Sequence, residues 1–223
     1  VGSLFAVIGV IVLKGAPSLS WSMITQVPQG GYYIGKEGGI LNAIVGSLYL
    51  GFGGLILSLS ISIPVALALQ KEYIKKTKIV YFIRLSLDVL WGTPSIVYGA
   101  FGFIIMLYLG VRASLLGGIL VLTLLQLPIM IRAIDEVILM VPTDLKETSY
   151  ALGATRFETT FNVVVKQVFP GIITAMLLAF GRSIGDAASI LFTAGYTDRI
   201  PQSLFDPVAS LPLAIFFQLG TPF

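Results

Sequence analysis

The sequence predicts an all-α, polytopic membrane protein, and three observations carry the prediction. Charged residues make up 11% of the chain against 56% hydrophobic. Soluble domains carry ~25% charge, so this chain has too little polar surface to face water on every side. The stretches Ile40–Leu69, Val89–Val111 and Ala113–Ile131 contain no charged residue, and each is long enough to cross a bilayer as a helix, which takes ~20 residues. Basic residues gather in alternate connections, as the positive-inside rule requires of a chain that crosses repeatedly.

In chain order, Val1–Leu13 is apolar but short of a full crossing. The chain opens on Val1, not Met, so this stretch reads as the end of a first span whose beginning is missing. The three charge-free stretches supply the second, third and fourth spans. A fifth runs from about Pro170 to Ala194, interrupted by Arg182 and Asp186. Pro207–Leu219 is apolar but short and holds Pro212, which reads as a surface or interfacial helix. An odd number of spans points to a last one missing as well. The whole of 1–223 then forms one transmembrane domain. Pro64, Pro94 and Pro128 fall inside spans and predict kinks or breaks.

Loop charge sets the orientation. Lys71, Lys75, Lys76, Lys78 and Arg84 lie in 70–84, and Lys146, Arg156 and Lys166 in 141–166. Both loops are therefore expected in the cytoplasm of a cell-membrane protein. The opposite side holds Lys14, Lys36, Arg112 and Arg199, with Trp21, Tyr32, Tyr33 and Tyr196 in the segments 14–39 and 195–206.

The chain has no cysteine and no histidine. Disulfides, zinc sites of the usual kind and Cys/His or Ser/His catalysis are excluded. A net charge of +3 gives no reason to expect nucleic acid, and no cofactor is implied. Gly30, Gly35 and Lys36 fit the spacing of a phosphate-binding loop, but Glu37 follows where Ser or Thr is needed, and no strand precedes. Any ATPase must be another polypeptide.

The segment Val141–Gly171 is the most informative loop. Thr143 or Asp144 can cap a helix that runs to about Leu152, where Gly153 ends it in a left-handed conformation. A second amphipathic helix follows, with Phe157, Phe161, Val164, Val165 and Val168 as its apolar positions. Two short helices around a glycine make either an ordinary inter-span connection or a compact docking knob.

Glu147, Ala151, Leu152, Gly153 and Ala154 resemble the EAA loop of bacterial and archaeal importer permeases, where ATP-binding subunits dock. That pattern is E-A-A, three residues, G, nine residues, I-x-L-P. Here Glu147-Thr148-Ser149 leads to Gly153 at the right spacing and then to Val163 and Val165. Thr148-Ser149 replace the alanines, and Lys166 replaces the proline. Gly38-Gly39-Ile40, Thr93-Pro94-Ser95, Leu127-Pro128-Ile129, the run Gly181–Ala194 and Ser210-Leu211-Pro212-Leu213 are together similar to PstA-type permeases of phosphate importers over nearly the whole chain. The resemblance implies a six-span importer-type fold. It also implies a second homologous permease, two ATP-binding subunits docked on 143–166, an external phosphate-binding protein, and no bond chemistry in this chain.

Two arginines bear on the substrate. Arg182 is expected near the middle of its span and Arg132 in the cytoplasmic half of the fourth. An arginine at mid-span costs ~2.5–3.5 kcal/mol on insertion scales, so each needs compensation. One reading is an anion path, because guanidinium forks bind phosphate oxygens bidentately and stay charged. The other pairs Arg182 with Asp186 on one helical face and lets Arg132 snorkel. Asp186 stands where the resemblance leads one to expect Glu; it either neutralises Arg182 or accepts a hydrogen bond from a protonated phosphate oxygen. The expected path is Arg132, Arg182 and Asp186. Alternatives are an importer of another oxyanion, such as molybdate or sulfate, and an ATP-independent secondary transporter or channel.

Overall fold

The computed structural model describes residues 2–29, 38–70, 73, 74 and 76–219. The motif Gly30–Gly35–Lys36 and Tyr32 and Tyr33 lie outside the described residues. Among the described residues the regular elements are helices: α1 Gly2–Gly15, α2 Trp21–Thr25, α3 Leu41–Ala68, α4 Thr77–Trp91, α5 Ser95–Tyr108, α6 Leu115–Leu139, α7 Thr143–Ala151, α8 Arg156–Thr159, α9 Val165–Ile184 and α10 Leu211–Leu219. A π turn over Thr160–Val164 joins α8 to α9 into one rod, Arg156–Ile184. That rod, α3 and α6 are each long and apolar enough to cross a membrane.

The third apolar segment is not the single helix expected over Val89–Val111. It is a pair, α4 and α5, bent by 99°. Pro94 has no N–H and disfavours helical geometry at Thr93, so the chain breaks there and Pro94 caps α5. Breaks of this kind survive in an apolar setting when freed carbonyls find donors. The Thr93 hydroxyl donates to Val89 O (3.1 Å) and the Tyr98 phenol to Leu90 O (2.8 Å). Pro64 and Pro128, by contrast, lie inside unbroken helices. The linker expected over 70–84 is also shorter, because Thr77–Arg84 belong to α4. Its charges hid a helix whose Val80 and Leu87 are buried.

The fifth segment is displaced from Pro170–Ala194. Its helix starts at Arg156, where Thr155 and Glu158 form a capping box, and it ends at Ile184. From Gly185 to Ser210 the chain is an irregular strap packed into the bundle. Ile190, Ala194, Val208 and Ala209 are all buried. The strap works as a cap for α6. Thr193 O, Asp206 O and Leu204 O accept the N–H groups of Ser114, Leu115 and Leu116, which the first helical turn cannot satisfy internally. Gly99 lets α5 reach this strap: a Cβ there would sit 2.6 Å from Ser189 O.

Helix α10 is short, as expected over Pro207–Leu219, and one side of it is exposed at Ile215 and Phe216 while the other enters the core. Pro212 falls in its first turn, where no donor is needed, and Leu213 is completely buried.

Two larger clusters hold most of the core. One joins the C-terminal ends of α3 and α6 to α4 and the start of α9, around Leu67, Val80, Ile134, Ile138 and Val168. The other joins the opposite halves of α3 and α6 to α5 and the strap, around Leu50, Tyr98, Leu122 and Ile190. The connection after α3 and the α7–α8 connection share one end of the bundle, where Tyr73 Oη meets Thr160 Oγ1 at 2.8 Å. The start of α3 and the strap share the other, where Asn42 Nδ2 donates to Thr197 O at 2.7 Å.

Candidate transport and docking sites

The α7–α8 connection is built as a rigid knob. Gly153 has φ +87°. Its N–H donates to Tyr150 O (2.9 Å) and that of Ala154 to Ser149 O (3.2 Å), the Schellman closure that uses a left-handed residue to satisfy the last carbonyls. Thr155 then starts the next helix, accepting from Glu158 N (3.3 Å) while its own N–H donates to Glu158 Oε2 (2.8 Å). Ser149 and Thr159 join hydroxyls across the turn at 2.9 Å. Glu147, Ala151, Leu152 and Gly153 are exposed and Ala154 is partly buried. Leu152 is 84% exposed and Phe157 65%, well beyond what a core-facing loop would leave open. Phe157 packs on Phe161 at 4.4 Å between ring centres.

The apolar stripe expected along the second helix divides. Val164 and Val168 enter the core, whereas Phe157 and Phe161 face outward. The π turn, which itself contains Phe161 and Val164, holds an extra residue per turn. It shifts the helical phase and frees both rings for the knob's surface.

Arg182 lies in the last turn of α9, not near the middle of a span as expected, because the helix stops at Ile184; Gly181 and Gly185 flank it, and all three are exposed. Asp186 is past the helix end, so the two do not share a helical face. Its carboxylate instead accepts the Ser189 N–H at 2.9 Å. Among the described residues Arg182 makes no ion pair.

Arg132 is placed far from that end and in different company. Its Nε donates to Asp88 at 2.6 Å, and its Nη atoms to Asp135 and Glu136 at 3.2 Å each. Arg84 grips the same Asp135 through Nε (2.8 Å) and Nη2 (2.9 Å), and Gln70 adds a bond at 2.9 Å. Asp135 is fully buried. The result is a ladder of charges that clamps α4 to α6. The sequence reasoning missed it, although its signal was present: Arg132 precedes Asp135 and Glu136 by one helical turn, and Arg84 precedes Asp88 by the same spacing.

Comparison with known proteins agrees with this architecture. Residues 60–218 match the family described as binding-protein-dependent transport system inner membrane component. The chain is 37% identical over 212 residues to a probable ABC transporter permease protein, YqgI, of Bacillus subtilis, covering 92% of this chain and 70% of that protein. It is 33% identical over 223 residues to phosphate transport system permease protein PstA 2 of Mycobacterium bovis, covering 99% and 71%. Against PstA of Haemophilus influenzae the identity is 30% over 213 residues, covering 96% and 74%. In structure it is similar to an inward-facing MetNI methionine ABC transporter, with a TM-score of 0.62 at 21% identity over 67% of this chain and 72% of the other; that likeness speaks to the fold. The chain belongs to the family of inner membrane components of binding-protein-dependent transport systems.

Proposed function

We propose that this permease forms, with a second homologous permease, the membrane path for inorganic phosphate, and that Arg182 and Asp186 belong to that path. The observation that carries the reading is Arg182, an exposed cation at the end of an apolar helix with no ion-pair partner among the described residues. An unneutralised guanidinium in such a place is costly, and a passing oxyanion offsets that cost. The phosphate permeases among the relatives support phosphate as that oxyanion. Asp186, whose carboxylate accepts the Ser189 N–H, selects a protonated oxyanion without cancelling the arginine. Arg132 joins the path only in a state where Asp88 and Glu136 release it.

Two ATP-binding subunits dock on the knob within 143–166, through Glu147, Ala151, Leu152, Gly153 and Ala154. An external phosphate-binding protein delivers substrate to the other end. The connections 70–76 and 141–155 then face the cytoplasm, in keeping with their lysines. ATP hydrolysis belongs to the partner subunits and shifts the permease pair between two states for which nucleotide has different affinity.

Phosphate uptake measured beside the amount of assembled complex tests the path. Arg182→Gln abolishes uptake and leaves assembly intact. Arg182→Lys keeps the charge, loses the planar fork and is impaired. The double variant Arg182→Gln, Asp186→Asn assembles but does not transport; near-normal uptake by it sinks the assignment. Equal uptake of sulfate or molybdate by the unaltered protein would move the substrate to another oxyanion.

A further inference from the structure

At the end of the bundle that carries the knob, a cavity of about 220 Å³ opens between the C-terminal end of α3, the start of α4, the end of α6 and the first turn of α7. Its wall is of two kinds. Arg84, Lys146, Gln70, Thr77 and Thr143 supply donors and charge, and Leu69, Ile74, Val80 and Ile138 supply an apolar side. The Arg84 fork spends Nε and Nη2 on Asp135, while Nη1 makes no hydrogen bond among the described residues. Asp135 is buried behind the guanidinium, so Arg84 turns its remaining donors away from that carboxylate.

We infer that this cavity is a binding site for the phosphate headgroup of an anionic phospholipid, held by Arg84 and Lys146 with Thr77 and Thr143 as hydroxyl donors. A free phosphate ion would use the basic half and gain nothing from the apolar half. A lipid uses both, its glycerol and first methylenes lying on Val80 and Ile138. The surroundings favour the lipid. Ile79, Leu139 and Met140 are exposed apolar side chains in or beside the cavity wall, as expected at a membrane surface. The start of α4, which borders the cavity, carries Lys76 and Lys78 on either side of Thr77. Basic clusters at a membrane surface attract anionic lipids, each Lys or Arg contributing about fivefold in affinity. Occupancy would brace the first turn of α7 against α3 and α4. The inference does not depend on which substrate the permease carries.

The test uses the full chain in detergent, supplied with phosphatidylglycerol, phosphatidylcholine or inorganic phosphate, and read by native mass spectrometry and by melting temperature. Phosphatidylglycerol is retained over phosphatidylcholine and raises the melting temperature, and millimolar inorganic phosphate does not displace it. Lys146→Gln lowers the preference about fivefold. Thr77→Trp, which fills the cavity from an exposed position, abolishes it. Neither residue belongs to the Asp135 ladder. If Thr77→Trp lowers the lipid-free melting temperature, Lys146→Gln decides alone. Equal retention of the two lipids, or a preference untouched by Lys146→Gln, overturns the site. Displacement by inorganic phosphate overturns the lipid assignment and leaves a free-anion site.

Discussion

Asp135 holds two arginines from different helices while fully buried itself, and its neighbour Glu136 makes an ion pair in the open, its side chain 62% exposed. The pair separates two kinds of salt bridge within one turn of helix. Removing the buried partner strands Arg84 and weakens the hold on Arg132, at a cost of about 3–5 kcal/mol. Removing the exposed one costs under ~1 kcal/mol. Asp135→Asn is therefore expected to lower the melting temperature of the solubilised protein sharply, and Glu136→Gln to leave it nearly unchanged. Equal effects would mean that the ladder does not clamp α4 to α6. At this scale the sequence singles out Arg182 by its rarity in an apolar segment, and its spacing offers Asp135 and Glu136 as partners of Arg132, but it does not reveal Asp88 as the third. Asp88 lies on another helix, and its approach depends on the fold of α4. The same applies to Asp186: its role depends on where α9 stops, which the helical spacing alone does not reveal.

The elements owe their boundaries to backbone chemistry more than to hydropathy. The knob between α7 and α8 turns on Gly153, whose φ of +87° leaves open space where a Cβ would be. A substitution there is consequently a test of backbone strain, not of bulk against the permease itself. A left-handed conformation costs an L-residue about 1–2 kcal/mol, and asparagine tolerates it better than other side chains. Gly153→Val should reduce co-purification of the ATP-binding subunits, and Gly153→Asn should keep most of it. Retention of the subunits by both variants would count against the knob as their docking site. The turn was readable from Gly153 and its flanking caps. The break at Pro94 was readable as a break, but not as a 99° elbow, because proline fixes its own φ and leaves the direction of α5 to packing. The phase shift at Thr160–Val164 leaves no sequence mark, so the sequence shows Phe157 and Phe161 on one apolar stripe with Val164 and Val168.

For the whole molecule, the charge pattern of the loops and the fold agree on which segments lie together. Lys76 and Thr155 belong to one end of the bundle, and Ser203, in the strap, belongs to the other. Single cysteines at Lys76 and Thr155, introduced into this cysteine-free chain, should react with an impermeant label only from the cytoplasmic side, and one at Ser203 only from outside. Labelling of Thr155 and Ser203 from the same side would break the topology. The all-helical class was legible from composition, because a chain so poor in charge has few other ways to satisfy its backbone in lipid. The strap 185–210 was not, because its apolar residues read as the end of a span.

In the proposed function this chain passes phosphate only as part of an ATP-driven assembly. Proteoliposomes containing this permease, its partner permease and the ATP-binding subunits test it most directly, with labelled phosphate and the external binding protein outside and ATP supplied to the knob side. Phosphate is expected to accumulate only when both ATP and the binding protein are present, and accumulation stops when the ATP is replaced by a non-hydrolysable analogue. Phosphate accumulation driven by an ion gradient alone, in vesicles without the ATP-binding subunits, would contradict it.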